Sequence, residues 1–174
     1  DIKARDVMTV SAIKNAIKTD MAIAGSSNLI LHIPAIANEA GYDLPWWQYF
    51  DEASNEIPLL AHIVPSGHKY SVHDLCLAGG MPAVIKELLP KLDGDCLTVT
   101  GKTIAENVKH ARVYDRNVIH TLDNPVMKMP GIGVLYGNLA PEGSIIKIAA
   151  VPENLMTFKG PARVFDELDD ALNA

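Results

Sequence analysis

The chain has 174 residues, 48% hydrophobic and 21% charged, enough for one ordinary domain or two halves of larger ones, and this excludes global disorder. Its net charge of −6, with lysines and arginines scattered rather than clustered, excludes a nucleic-acid surface, because neutralising phosphates takes a basic stripe. No apolar run approaches the roughly 20 residues of a membrane-spanning helix, and the longest, Leu29 to Ala37, is interrupted by His32 and Pro34.

The start, Asp1-Ile2-Lys3, is not a signal peptide, since no apolar block follows the charges, and it carries no initiator methionine. We therefore expect a piece of a longer protein or a processed product. Cys76 and Cys96 form no CxxC pair and no disulfide scaffold, so a reduced, cytoplasmic chain is the economical expectation.

In chain order, Ile13, Ala16, Ile17 and Met21 recur at helical spacing and predict a helix over Ser11 to Ala24. Gly25-Ser26-Ser27-Asn28 breaks it. Leu29 to Ala40 resumes as a mostly apolar helix with Pro34 near its first turn, expected to be buried between layers, and Gly41 stops it. Asp43 is expected to cap a helix opening at Pro45 and carrying Trp46, Trp47, Tyr49 and Phe50. That aromatic cluster reads equally as core and as an interface. Ile63-Val64 is a short strand candidate before the turn Pro65-Ser66-Gly67. Ser71 caps a helix through Ala78, and Met81-Pro82 opens another to about Leu89. Leu97 to Thr100 reads as a strand, and Thr103 to Glu106 has capping-box spacing.

From about Leu122 glycines become frequent. Two β-rich runs, Ile132 to Tyr136 and Ser144 to Val151, flank the turn-rich link Gly137 to Gly143. Arg163 to Phe165 is a third strand candidate before an acidic C-terminal helix. The change of texture puts a boundary between about Val108 and Gly131. We divide the chain at residues 1–120 and 121–174, as α/β and β-rich parts.

Four features bear on chemistry. Gly25-Ser26-Ser27-Asn28 precedes a helix; Ser27 or Asn28 can cap it, and the first helical N–H groups suit a carboxylate or phosphate. The plainer reading is an N-cap alone. His32, one turn inside that helix, is a catalytic candidate set against the ordinary role of a satisfied core histidine. His73 and Cys76 share a helical face, yet two ligands do not make a metal site. Gly131-Ile132-Gly133 is not a dinucleotide-binding fingerprint.

Seven motifs in register then carry a resemblance. They are Asn15-Ala16-Ile17 with Asp20-Met21-Ala22 and Gly25-Ser26-Ser27-Asn28; Ala35 to Gly41; Asp74-Leu75 with Ala78 to Val84; Leu97 to Thr103 with Glu106-Asn107; Asp123-Asn124-Pro125; Gly137 to Gly143; and Gly160 to Phe165. Together they resemble the dihydroxy-acid dehydratase and sugar-acid (aldonate, phosphogluconate) dehydratase family over nearly the whole chain. The resemblance implies an internal fragment: the C-terminal part of a three-layer α/β/α domain joined to the start of a β-rich, swivelling β-barrel-like domain, with the active site between them.

It also implies a hydro-lyase of the cytoplasm, a homo-oligomer, that turns a small 2,3-dihydroxy acid into a 2-oxo acid. An iron–sulfur cluster acts there as Lewis acid, and Mg²⁺ holds the substrate. Their ligands lie in family motifs outside this stretch, so Cys76 and Cys96 are expected to be small core residues. Dihydroxy-isovalerate, of branched-chain amino-acid biosynthesis, is the favoured substrate, with sugar acids as the alternative suggested by Tyr114 to Ile119. Ser26, Ser27, Asn28 and Asn138 are the expected substrate-binding residues. The reading of another class is an inactive fragment that serves as a structural or oligomer-interface portion. The sequence departs from the family at two places: its loop reads Ala24-Gly25-Ser26-Ser27-Asn28 where Gly-Gly-Ser-Thr-Asn is usual, and Pro130-Gly131 replaces a glycine pair.

Overall fold

A computed structural model describes residues 1–174. The chain is a mixed helix and strand fold, with seven of its eight α-helices before residue 110 and its one sheet after residue 130. A single helical turn, α1 (Ala4–Val7), leads into α2 (Val10–Ile23). Thr9 caps α2, its hydroxyl accepting the Ala12 N–H at 3.2 Å. Ile13, Ile17 and Met21, one turn apart, are all buried. Each such side chain contributes about 1.5–3 kcal/mol by leaving water. They pack on Trp46, Phe50 and Ala53 of α4 (Trp46–Glu56), with Leu88 and Ile132 closing the same core. A second core gathers Leu75 of α5 (Val72–Leu77), Ala83 and Val84 of α6 (Gly80–Leu88), and Ala61, Val118 and Ile119.

Buried Asn15 joins α2 to the 93–96 turn. Its side-chain oxygen accepts the Asp93 N–H at 2.9 Å, and its amide donates to the Asp93 carbonyl at 2.8 Å. Ser71 caps α5 as expected, in a capping box with Asp74, and the capping box expected of Thr103 with Glu106 forms on α7 (Ile104–Val108). The hairpin β1 (Gly133–Gly137) and β2 (Ala140–Ile146) is antiparallel, with an irregularity between Leu135 and Gly137. It lies on α4, where Trp47 Nε1 donates to the Tyr136 hydroxyl at 2.8 Å. A last turn, α8 (Leu168–Leu172), is exposed.

Several expectations are corrected. The helix α3 (Leu29–Glu39) buries only Ile33 and Ala37, and Leu31 is 73% exposed, so it is a surface helix. Pro34 sits in its second turn, not its first. Asp43 does not cap α4; Pro45 holds the N-cap position with no side-chain bond. Ile63 and Leu97 each make one isolated bridge, to Tyr70 and Thr103, and no strand forms at either. Around Leu97 the chain turns at once, because Thr98 Oγ1 donates to the Lys102 carbonyl at 2.8 Å. Residues 140–143 belong to β2 rather than to a link, and Ile148–Ala150 is a 3₁₀ turn. Arg163 to Phe165 has no strand partner. Cys96 is buried as expected, whereas Cys76 is exposed. Trp46 and Phe50 are core, and Trp47 and Tyr49 are half-buried.

Candidate functional site

The end of α2 and the start of α3 build one loop. Ala24 closes α2 in the left-handed region, φ 49°, where a residue with a side chain costs about 1–2 kcal/mol more than glycine. Its methyl packs with Leu59 and Ala149, which offsets part of that cost. Asp20, in the last turn of α2, then holds the loop twice. Its carbonyl accepts the Gly25 N–H at 3.0 Å, and its Oδ1 accepts the Ser26 N–H at 3.0 Å.

Ser26 Oγ accepts the Asn28 N–H at 3.3 Å. Asn28 holds the N-cap position of α3 without a side-chain cap bond, and Ser27 makes none either, so the expected side-chain cap does not form and Ser26 only braces the turn before the helix. This leaves the Ser27 N–H, the Ser27 hydroxyl and the Asn28 carboxamide without partners in the chain, all exposed at the N-terminus of an eleven-residue helix. Such a set favours an anion, because free donors stand where the helix dipole is positive.

From the other end of the chain, Lys147 Nζ donates to the Gly25 carbonyl at 2.7 Å. This cation stands just past β2, beside the loop. Gly131 completes the contact: its N–H donates to the Met21 carbonyl at 2.9 Å, and its α-carbon lies against Ala24 with no space for a Cβ. The two halves of the chain thus meet at this loop.

Asp20 is half-buried beside a cleft of ≈ 390 Å³ whose apolar walls include Ala16, Ile23, Leu29 and Ile85. Loss of water there raises its carboxyl to about 6, against the pull of the Ser26 N–H and of Lys147. Burial dominates because the hydrogen bond and the ammonium together replace only part of the lost hydration.

Ser26, Ser27 and Asn28 thus lie together. His32, one turn further along α3, is exposed rather than set in a core. Asn138 is exposed at the hairpin tip. The length of β2, roughly 20 Å at strand rise, separates it from Lys147, and no hydrogen bond ties it to the loop. Asp20 and Lys147 were not singled out as site residues from the sequence. An acid six residues before a Ser-Ser-Asn loop was the available signal for the first, and nothing in the spacing marks the second.

The family model for the N-terminal part of dihydroxy-acid/6-phosphogluconate dehydratases matches residues 1–107, and that for the C-terminal part matches residues 117–174. The chain is 48% identical, over its whole length, to a dihydroxy-acid dehydratase of Acetivibrio thermocellus, covering 31% of that protein. It is 51% identical over 97% of its length to one of Ignicoccus hospitalis, covering 30%, and 46% identical over its whole length to one of Methanobrevibacter smithii, covering 32%. The chain spans about a third of the length of the curated relatives it matches. No helix is long and apolar enough to cross a membrane.

Proposed function

The chain belongs to the dihydroxy-acid/6-phosphogluconate dehydratase family, and we propose that it is a portion of a hydro-lyase that converts a 2,3-dihydroxy acid into a 2-oxo acid. The observation that carries this reading is 46–51% identity to proteins named dihydroxy-acid dehydratases along essentially all of the chain. The same names favour the dihydroxy-acid dehydratase reading over the sugar-acid one. Residues 1–120 are read as the later part of a three-layer α/β/α domain and residues 121–174 as the start of a barrel-like one. Supporting the division, seven of the eight α-helices precede residue 110 and the hairpin follows residue 130.

In this reading the loop takes the acid end of the substrate. The Ser27 N–H and the Asn28 carboxamide donate to the substrate carboxylate, and the Ser27 hydroxyl accepts or donates at the 2-hydroxyl. Asp20 and Lys147 position these groups by fixing the backbone at Ser26 and at Gly25. Pre-fixed donors lower the ordering cost of binding.

The reaction class uses an iron–sulfur cluster and Mg²⁺, which stabilise a departing hydroxide and hold the substrate. The residues of this chain do not fit either group. Cys76 is exposed on α5, Cys96 is buried against Asn15, and no three His, Cys, Asp or Glu side chains converge. We assign those ligands to parts of the enzyme outside these 174 residues and route no step through them.

The test is a chimera. The matching segment of the Acetivibrio thermocellus dehydratase is replaced by this chain and the protein is purified without oxygen. Formation of 2-oxo acid from 2,3-dihydroxy-isovalerate and from a panel of aldonates is then followed as the hydrazone. Turnover of the branched acid above the aldonates supports the proposal. Preference for an aldonate moves the substrate to the sugar-acid class, and a folded, iron-loaded chimera inert on all of them refutes it.

A further inference from the structure

Three of the six histidines in this acidic chain line one cavity. The segment after Ala61 turns back on itself: the Val64 N–H donates to the Tyr70 carbonyl at 2.7 Å, and the Gly67 N–H donates to the Ile63 carbonyl at 2.8 Å. The turn brings His62, His68, Lys69 and Tyr70 to one side. His120 comes from the facing segment, fixed by its own N–H on the Leu60 carbonyl at 2.9 Å, and Asn117 stands beside it. With Val126 these six line a space of ≈ 290 Å³, and no carboxylate is among the lining residues. Asp115, outside the lining, acts on Lys69 from a distance and accepts the Asn117 N–H at 2.8 Å and the Asn117 amide at 3.0 Å.

His62 marks the place as built. Its Nε2 is shielded from solvent and has no hydrogen-bond partner. An orphaned polar atom of this kind costs about 1–3 kcal/mol and calls for an explanation. Gly67 lies close against His62: a side chain there would strike the His62 carbonyl and crowd its imidazole. His62 also lines a second cavity of ≈ 480 Å³, with residues 126–129 and 149–156. His120 Nδ1 lies 3.2 Å from the Asn124 carbonyl, an acceptor, so that nitrogen carries a proton, and Nε2 donates into the cavity only from the doubly protonated ring, the form that a bound anion favours.

We propose that this cavity binds a small oxyanion, the phosphate or carboxylate group of a metabolite, through His62, Lys69, Tyr70 and His120. Donor chemistry selects the charge: an ammonium, a phenol and imidazoles, with no competing carboxylate, suit an anion. The space accommodates a group of a few heavy atoms. Convergence of three histidines with a metal's geometry is not present, which sets a cation aside.

The test follows the six imidazoles by nuclear magnetic resonance while inorganic phosphate, and separately acetate, replaces chloride at constant ionic strength. Saturable movement of the His62, His68 and His120 resonances, with His32, His73 and His110 still, is the expected result. Movement with phosphate alone makes the ligand a phosphoryl group, and movement with both makes it oxyanions in general. Lys69 is exposed, so Lys69→Gln leaves the fold intact; it should weaken phosphate binding about tenfold. Non-saturating drift of all six histidines, or equal binding by Lys69→Gln, overturns the proposal.

Discussion

Replacing Asp20 by asparagine separates the two things this carboxylate does. The amide oxygen still accepts the Ser26 N–H, so the loop keeps its anchor, but the charge beside the apolar cleft is gone. A rise of the carboxyl from 3.8 to about 6 means that the folded chain binds this proton more tightly than the unfolded one. Stability from this group is therefore greatest below pH 3.8, falls as pH rises through the window from 3.8 to about 6, and is level above it. Fully expressed, the shift corresponds to about 3 kcal/mol. Partial exposure and the nearby ammonium of Lys147 screen it, leaving ~1.5 kcal/mol. Urea unfolding of Asp20→Asn should then show a gain of ~1.5 kcal/mol over the parent at pH 8 and almost none at pH 4. A loss of stability at pH 8, or a gain equal at both pH values, would show that burial is not what raises this carboxyl.

Other substitutions probe the joints of the fold. Asn15→Ala strips both bonds from the Asp93 peptide groups and should cost about 2–4 kcal/mol in urea unfolding; a cost under 0.5 kcal/mol would mean that water replaces both bonds readily. Gly131→Ala forces a methyl into the Ala24 backbone and should cost about 1–3 kcal/mol. It should also lengthen the lever between the loop and β1, seen as changed amide shifts at Gly25 and Ser26; unchanged stability and shifts would contradict the close packing. Thr103→Ala removes the cap of α7 and should cost about 1 kcal/mol, with faster amide exchange confined to residues 104–108.

The helical half of the chain was readable because its signals are local. Ile13, Ile17 and Met21 state a buried face within three turns, and Ser71-Asp74 and Thr103-Glu106 state helix starts within four residues. Strand candidates failed where the partner was missing. Leu97 to Thr100 has β-forming residues, but Thr98, Thr100, Lys102 and Asn107 satisfy one another in a turn, and nothing runs alongside. The apolar run of α3 suggested burial, yet hydrophobicity tells how much a helix would gain from cover, not whether these residues supply it. At the loop, Ser26 to Asn28 stood out because small hydroxyl and amide residues before a helix are a local signature. Lys147 did not, since its meeting with Gly25 spans 122 residues and depends on Gly131 docking against Ala24.

The central claim is that the Ser26 to Asn28 loop holds the acid end of a dihydroxy acid in a dehydratase. The direct measurement is steady-state 2-oxo acid formation by the chimera carrying this chain, before and after Asn28→Ala, with 2,3-dihydroxy-isovalerate as substrate. Loss of one charge-assisted hydrogen bond predicts a fall in kcat/KM of about tenfold or more, with iron content and folding unchanged. Unaltered kcat/KM would remove the loop from the substrate site.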